Sequence, residues 1–179
     1  MNVIISAFII IIMSVLLFYY LMDTYNKVVA LKNYTEKAFA NIDVLLQQRA
    51  NEIPKLVNIV EKVMLHQKSL LLKLTQSREL YLNHHQVEQK IVINNQLTDY
   101  LKQIMSVTEN YPELQTINNL NKLQKRITLL EAKIADRREF FNESVALYNT
   151  GIQTLPNLIF AKILGYKPRT MLNSHTIGE

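Results

Sequence analysis

Apolar residues fall along this chain in two regimes. The first 22 positions, MNVIISAFIIIIMSVLLFYYLM, hold no charged side chain. Beyond Asp23 the apolar residues recur instead at intervals of three and four, interleaved with polar ones. At about 1.5 Å per residue, the run from Val3 to Met22 is long enough to cross a ~30 Å hydrocarbon core. Val3, Ile10, Leu17 and Met22 therefore mark an expected membrane-spanning segment. Phe18, Tyr19 and Tyr20 lie near its C-terminal end, as an interfacial aromatic belt requires. A cleaved signal peptide would carry a basic start, a shorter apolar run and a small-residue cleavage site, and this stretch has none of them.

The amphipathic remainder divides into four stripes. Val28, Leu31, Phe39, Ile42 and Leu45 or Leu46 form the first, and Leu56, Ile59, Val60, Val63, Met64, Leu70 and Leu74 the second. The third lies in VEQKIVINNQLTDYLKQIMSV, after a connection at NHHQ (83–86), and ends at ENYPEL (109–114). The fourth runs from about Thr116 to Tyr148 through Leu120, Leu123, Ile127, Leu130, Ile134, Phe141 and Val145. Pro54 separates the first two. Proline inside a helix costs about 3 kcal/mol, so a new helix is expected there, with Asn51 as its N-cap. Four helices with short connections predict an all-α protein, an N-terminal transmembrane helix followed by an antiparallel up-and-down four-helix bundle.

The expected organisation is an anchor at 1–22, the bundle at 23–156, an apolar segment at 157–168 and a polar tail at 169–179. In this topology the fourth helix returns toward the membrane end. A first helix uninterrupted at Pro54 would change the parity and carry the end of the chain away from the bilayer. The segment NLIFAKILGYKPR combines Phe160, Ile163, Leu164 and Tyr166 with Lys167. That composition fits a segment lying in the lipid interface, and equally a cap on the open end of the core.

Composition narrows the chemistry. With 3 Gly and 4 Pro in 179 residues, long helices are favoured over sheets. The absence of cysteine excludes a disulfide framework, a zinc finger and a thiol nucleophile. No basic residue precedes the apolar run, whereas Lys27, Lys32 and Lys37 follow it, so the positive-inside rule predicts an outside N-terminus and a cytoplasmic domain. The net charge of +5 is modest. In the last stripe Glu131, Asp136, Glu139 and Glu143 dilute the basic residues that nucleic acid would need on one face.

Asp43 lies between Ile42 and Val44, and Arg138 between the stripe positions Ile134 and Phe141. A charge at a partly buried interface needs an opposite partner, which suggests an interhelix pair between these two, against Arg49 as a competing partner six residues along and off the face of Asp43, and against two solvated charges. His84 and Glu88 are four apart but too few to close a metal site. Glu61 and His66 miss the Glu-x-x-His spacing of bundle metal sites. No phosphate loop, H-E-x-x-H or G-x-S-x-G occurs. The expectation is a non-enzymatic protein with no cofactor, no metal, no small-molecule substrate and no nucleic acid. Its partners would be the lipid bilayer and either another protein or itself, and the turn Tyr111, Pro112, Glu113 and Leu114 is the candidate partner loop.

Several stretches together resemble the LemA family. YNKVVALKN (25–33) is similar to the family's Y-N-x-L-V-x-L-R-N, and NIDVLLQQRANEIPKLVNIVEKV (41–63) to I-D-V-Q-L-K-R-R followed by I-P-N-L-V. ENYPEL, YNTGIQTLPNLI (148–159) and LGYKP (164–168) follow in the family's order. Phe39 stands where the family has Trp, and Phe141-Asn142-Glu143 where it has Tyr-Asn-Asp or similar. From about Leu80 to Val107 little of the pattern remains. The resemblance implies a membrane-anchored bacterial protein with a four-helix bundle and no assigned enzymatic activity; with the single apolar run, the expected place is the inner membrane, crossed once.

Overall fold

The computed structural model describes residues 2–172, with side chains from residue 4 onward. Among these residues all regular structure is helical: α1 (Asn2–Val60), α2 (Lys68–Asn83), α3 (Val87–Thr108), α4 (Pro112–Gln115), α5 (Asn118–Gly151) and α6 (Asn157–Ile163). The beginning of α1 is the one described stretch long and apolar enough to cross a membrane, and its side chains are not buried. Ile10, Leu17 and Met22 are exposed there; the side chain of Val3 lies outside the described residues.

Pro54 does not start a helix. It sits inside α1, which continues to Val60. Proline leaves the carbonyl four residues earlier without its helical donor. That carbonyl belongs to Ala50, and Arg78 Nε donates to it at 3.1 Å. A side chain from α2 thus supplies the bond that proline removes. The helix stops six residues after Pro54, at Val60, whose carbonyl accepts from both Val63 N–H and Met64 N–H, at 3.1 and 2.8 Å. A 3-10 turn at Leu65–Gln67 then leads into α2. The second apolar stripe is accordingly shared: Leu56 and Val60 end α1, and Leu71 and Leu74 bury the inner face of α2.

The chain separates into two compact units. One comprises Met1–Thr35 with Ser144–Arg169, the other Glu36–Glu143 with Thr170–Glu179. In the first, Val28, Tyr148, Ile152 and Ala161 form a buried cluster, with Leu31, Phe160, Leu164 and Tyr166 packed against it. Gly151 permits this packing, because a Cβ there would lie 2.3 Å from Leu31 Cδ1. The segment around α6 therefore does pack beside the early part of α1, although Pro54 does not break that helix: the break between α1 and α2 is moved toward the C-terminus rather than lost.

The core of the second unit draws Ile42, Leu46, Ile53 and Leu56 from α1, Leu74 from α2, Leu97, Leu101 and Ile104 from α3, and Ile127, Ile134 and Phe141 from α5. Phe39, at the position of the expected Trp, meets Phe141 edge-on with centroids 5.6 Å apart. Residues 173–179 of the expected polar tail lie outside the described residues. The residue before them is held: Leu172 is buried, its N–H donates to Asn142 Oδ1 and its carbonyl accepts from Asn142 Nδ2, both at 2.9 Å.

Candidate functional site

Two groups of residues concentrate the polar chemistry of the molecule, one in each unit. In the second unit a buried polar stripe on α3 faces charged residues of α1. Lys90, Asn94 and Thr98 recur every four residues, so they share one face of α3. Lys90 Nζ donates to both carboxylate oxygens of Asp43 at 2.9 Å. Tyr81 OH, from α2, donates to Asp43 Oδ1 at 2.5 Å. The Lys90 ammonium also lies 5.1 Å from the centre of the Tyr81 ring.

The expected pairing of Asp43 with Arg138 is thus replaced. Asp43 is held by α2 and α3, and Arg138, half-buried on α5, is not among the groups that hold it. Burial pushes the Tyr81 hydroxyl strongly upward from its ordinary value, and the hydrogen bond to Asp43 and that carboxylate's charge push the same way.

Farther along α1, Arg49 makes the charged link to α5 that was expected of Asp43. Its side chain is 1 % exposed. Nη1 donates to Glu131 Oε1 at 2.5 Å, and Nη2 to Asn94 Oδ1 at 2.6 Å and Thr98 Oγ1 at 3.0 Å. Thr98 Oγ1 in turn donates to the Asn94 carbonyl at 2.8 Å. One guanidinium therefore ties α1 to α3 and α5. Its Nε is buried with no hydrogen-bond partner. The fork geometry of arginine suits it to such a multidentate site, where a lysine could not reach all three acceptors.

Sequence reading alone missed this network, since Arg49 stands in a run of polar residues. The signal that would have found it is the i, i+4, i+8 series Lys90, Asn94, Thr98 within an otherwise apolar face of α3.

A solvent-side link lies nearby on the same helices. Glu52 accepts from Lys55 at 3.0 Å and from Arg126 at 3.2 Å. Partial burial works to raise the Glu52 pKa, but the two cations outweigh it and hold the carboxyl below its ordinary value.

The candidate partner loop forms the start of α4. Pro112 occupies the first turn, as its missing N–H allows, and Tyr111 precedes it in an extended conformation. Leu114 is completely buried, whereas Pro112 and Glu113 are exposed. Beside the loop lies a cavity of about 430 Å³, lined by Met105, Thr108, Leu114, Leu120, Gln124 and Ile127 among others. The loop thus stands next to a hollow of mixed lining, in which Glu109, Gln115 and Thr128 join the apolar side chains.

His84 has a structural explanation: its Nδ1 lies 2.7 Å from the Leu80 carbonyl at the end of α2. Among the described residues no group of three or more His, Asp or Glu side chains is placed to hold a metal.

In the first unit the motif LGYKP closes α6. Gly165 has φ 67°, the left-handed conformation that favours glycine. Tyr166 N–H donates to the Ala161 carbonyl at 2.9 Å and Gly165 N–H to the Lys162 carbonyl at 3.2 Å. This is the paired bonding of a Schellman cap. It turns Tyr166 back to Tyr148, with ring centroids 6.5 Å apart, and beneath Lys32, whose Nζ is 5.3 Å from the ring centre.

The following residues are clamped. Asn149 Oδ1 accepts from Arg169 N–H at 2.8 Å and Asn149 Nδ2 donates to the Arg169 carbonyl at 3.0 Å. Arg169 Nη1 donates to the buried Thr35 hydroxyl at 2.5 Å. Of the residues expected to be interfacial, Phe160, Leu164 and Tyr166 pack inward, while Ile163 and Lys167 face outward. Near the end of the apolar run, Asp23 lies 2.6 Å from Lys27, and by hydrogen bond and charge raises the lysine above its ordinary value.

The LemA family model matches residues 38–177, the bulk of the chain. The chain belongs to the LemA family. The Arg49 and Asp43 networks and the Asn149 clamp all lie within the matched region. This LemA-family chain is also similar to two curated magnetosome proteins. One is MamQ of Magnetospirillum gryphiswaldense, 30% identical over 79 residues, 44% of this chain. The other is MamQ 2 of Paramagnetospirillum magneticum, 29% identical over 79 residues. The similarity spans 29% of the length of each of these relatives. It supports membership of the family and is too partial to transfer a role.

Proposed function

We propose that this LemA-family protein is a non-enzymatic, membrane-tethered scaffold. Its apolar start spans the inner membrane once, with the N-terminus outside, and the helical remainder acts in the cytoplasm as a protein-interaction module built as an antiparallel four-helix bundle. The observation that carries this reading is the dual character of α1. One uninterrupted helix holds the exposed apolar run and also supplies Val28, Ile42, Ile53 and Val60 to buried cores. A helix of that kind couples a bilayer span to a folded domain without a flexible linker.

The contact surface in this proposal is the Tyr111–Leu114 loop with its adjoining hollow. An exposed proline and glutamate beside a cavity of mixed apolar and polar lining fit a protein segment that inserts one side chain and hydrogen-bonds around it. Crosslinking in native membranes from photoreactive groups at Tyr111 and Glu113 tests it. A single dominant protein partner is the expected result. Self-links alone would move the function to an oligomeric, membrane-organising role.

Orientation is tested separately. The chain has no cysteine, so Asn2→Cys and Lys125→Cys can each be labelled without background. Labelling of Lys125→Cys by an impermeant reagent from outside intact cells would refute the cytoplasmic assignment.

A further inference from the structure

The inward packing of Phe160, Ala161, Leu164 and Tyr166 leaves the other side of the C-terminal segment unaccounted for. Leu155, Ile159 and Ile163 are 74 %, 55 % and 75 % exposed. Ile159 and Ile163 stand one helical turn apart on α6, and Leu155 lies in the turn just before it. Scattered single apolar residues are normal on a protein surface, but three large aliphatic side chains within nine residues form a patch. Exposed Lys162 and Lys167 flank it.

The place of this patch identifies what covers it. Phe160, on the inward side of α6, meets Tyr25 edge-on with centroids 6.2 Å apart. Tyr25 stands three residues after Met22, where the apolar run ends, so the contact lies about 5 Å along α1 from that point at 1.5 Å per residue. The headgroup layers add about 5–8 Å to each side of a ~30 Å hydrocarbon core. Resting on the tether reading above, we infer that α6 lies in the headgroup layer of the leaflet from which α1 emerges. Leu155, Ile159 and Ile163 face the acyl boundary, and Lys162 and Lys167 reach lipid phosphates.

Amphipathic interfacial segments bury an apolar face about 5–10 Å into this boundary and keep lysines at its polar side. The lipid surface is favoured over a second copy by continuity with the exposed apolar face of α1. It is also favoured by size, since a stable protein interface needs roughly 1,000 Å² or more, beyond what three side chains present.

The test uses the full chain in vesicles of phosphatidylcholine and phosphatidylglycerol. Environment-sensitive fluorophores are placed on Ile163→Cys and, as a span control, on Ile12→Cys. Both side chains are exposed, so neither substitution disturbs a core. The Ile163→Cys label is expected to lose fluorescence to lipids spin-labelled at the headgroup or high on the acyl chain and to resist aqueous iodide. The Ile12→Cys label is expected to be quenched by deep acyl-chain labels.

Full iodide access at Ile163→Cys, with Ile12→Cys still quenched by lipid, overturns the inference and leaves the tether standing. Loss of lipid quenching at both positions removes the tether reading and this inference with it. Quenching of Ile163→Cys by a spin-labelled second copy but not by lipid assigns the patch to self-association and overturns the lipid assignment.

Discussion

Arg78 donates from Nε to the Ala50 carbonyl at 3.1 Å, the carbonyl that Pro54 leaves without its helical partner. Ala50 is buried, so an unpaired oxygen there would carry a desolvation cost of about 1–3 kcal/mol. The contact explains how α1 passes a proline and still reaches Val60. Arg78→Met is expected to destabilise the fold by about 1–2 kcal/mol. In a Pro54→Ala background, which restores the helical N–H, the same change is expected to cost much less. Denaturant titration of the four variants measures the coupling; equal costs in both backgrounds would refute the role assigned to Arg78.

The buried Arg49–Glu131 pair makes a different prediction. Removing one partner of a buried ion pair strands the other, typically at about 3–5 kcal/mol, whereas apolar replacement of both is often neutral. Glu131→Leu alone is therefore expected to lower the thermal midpoint sharply. Arg49→Met with Glu131→Leu is expected to recover most of the loss. Circular dichroism melts decide between this and two independent, additive losses.

Tyr81 and Glu52 set opposite ends of the pH range. The Tyr81 hydroxyl ionises later in the folded chain than in the unfolded one, so its contribution is complete below about pH 10 and is lost as the pH rises beyond that. Tyr81→Phe is expected to flatten the alkaline limb of the stability curve. Glu52 ionises earlier in the folded chain, so its contribution is present above its ordinary value of 4.5 and lost as the pH falls through the folded value. Glu52→Gln is expected to shallow the acid limb, by well under about 1 kcal/mol because Lys55 and Arg126 are both largely exposed. Chemical denaturation across pH reads both.

Gly165 tests the Schellman cap. Nothing lies within 4 Å of where its Cβ would stand, so any cost of Gly165→Ala is conformational rather than steric. Holding an L-residue at this positive φ costs about 1–2 kcal/mol. The expected result is that loss, with a smaller one for Gly165→Asn, which tolerates the left-handed region better. A neutral Gly165→Ala would show that the turn is not populated.

The long apolar start, a candidate membrane span, and the helical character of the rest were legible because both are periodic or compositional signals carried by neighbouring residues. The inward face of most helices was legible for the same reason: Val28, Ile42, Leu74, Ile127, Phe141 and Tyr148 were all on the expected stripes and are all buried. Pro54 was misread because its rescue comes from Arg78, 24 positions away on another helix. Asp43 was assigned the wrong interhelix partner for a related reason. A charged residue in an apolar stripe announces that it needs a counter-charge, but not which of several helices will bring one within 3 Å.

What the sequence determined by itself, then, is the set of local free energies: an uncharged run suited to lipid, helix-forming stripes, and a turn at Pro112. These depend on a few adjacent side chains and need no knowledge of the fold. Only the tertiary structure decided which polar groups meet, Arg49 with Glu131, Asn94 and Thr98, and which face of α6 is left over once Phe160 and Leu164 have packed. Those choices arise from burial, which penalises a charged or hydrogen-bonding group removed from water unless it finds a partner in space rather than in sequence.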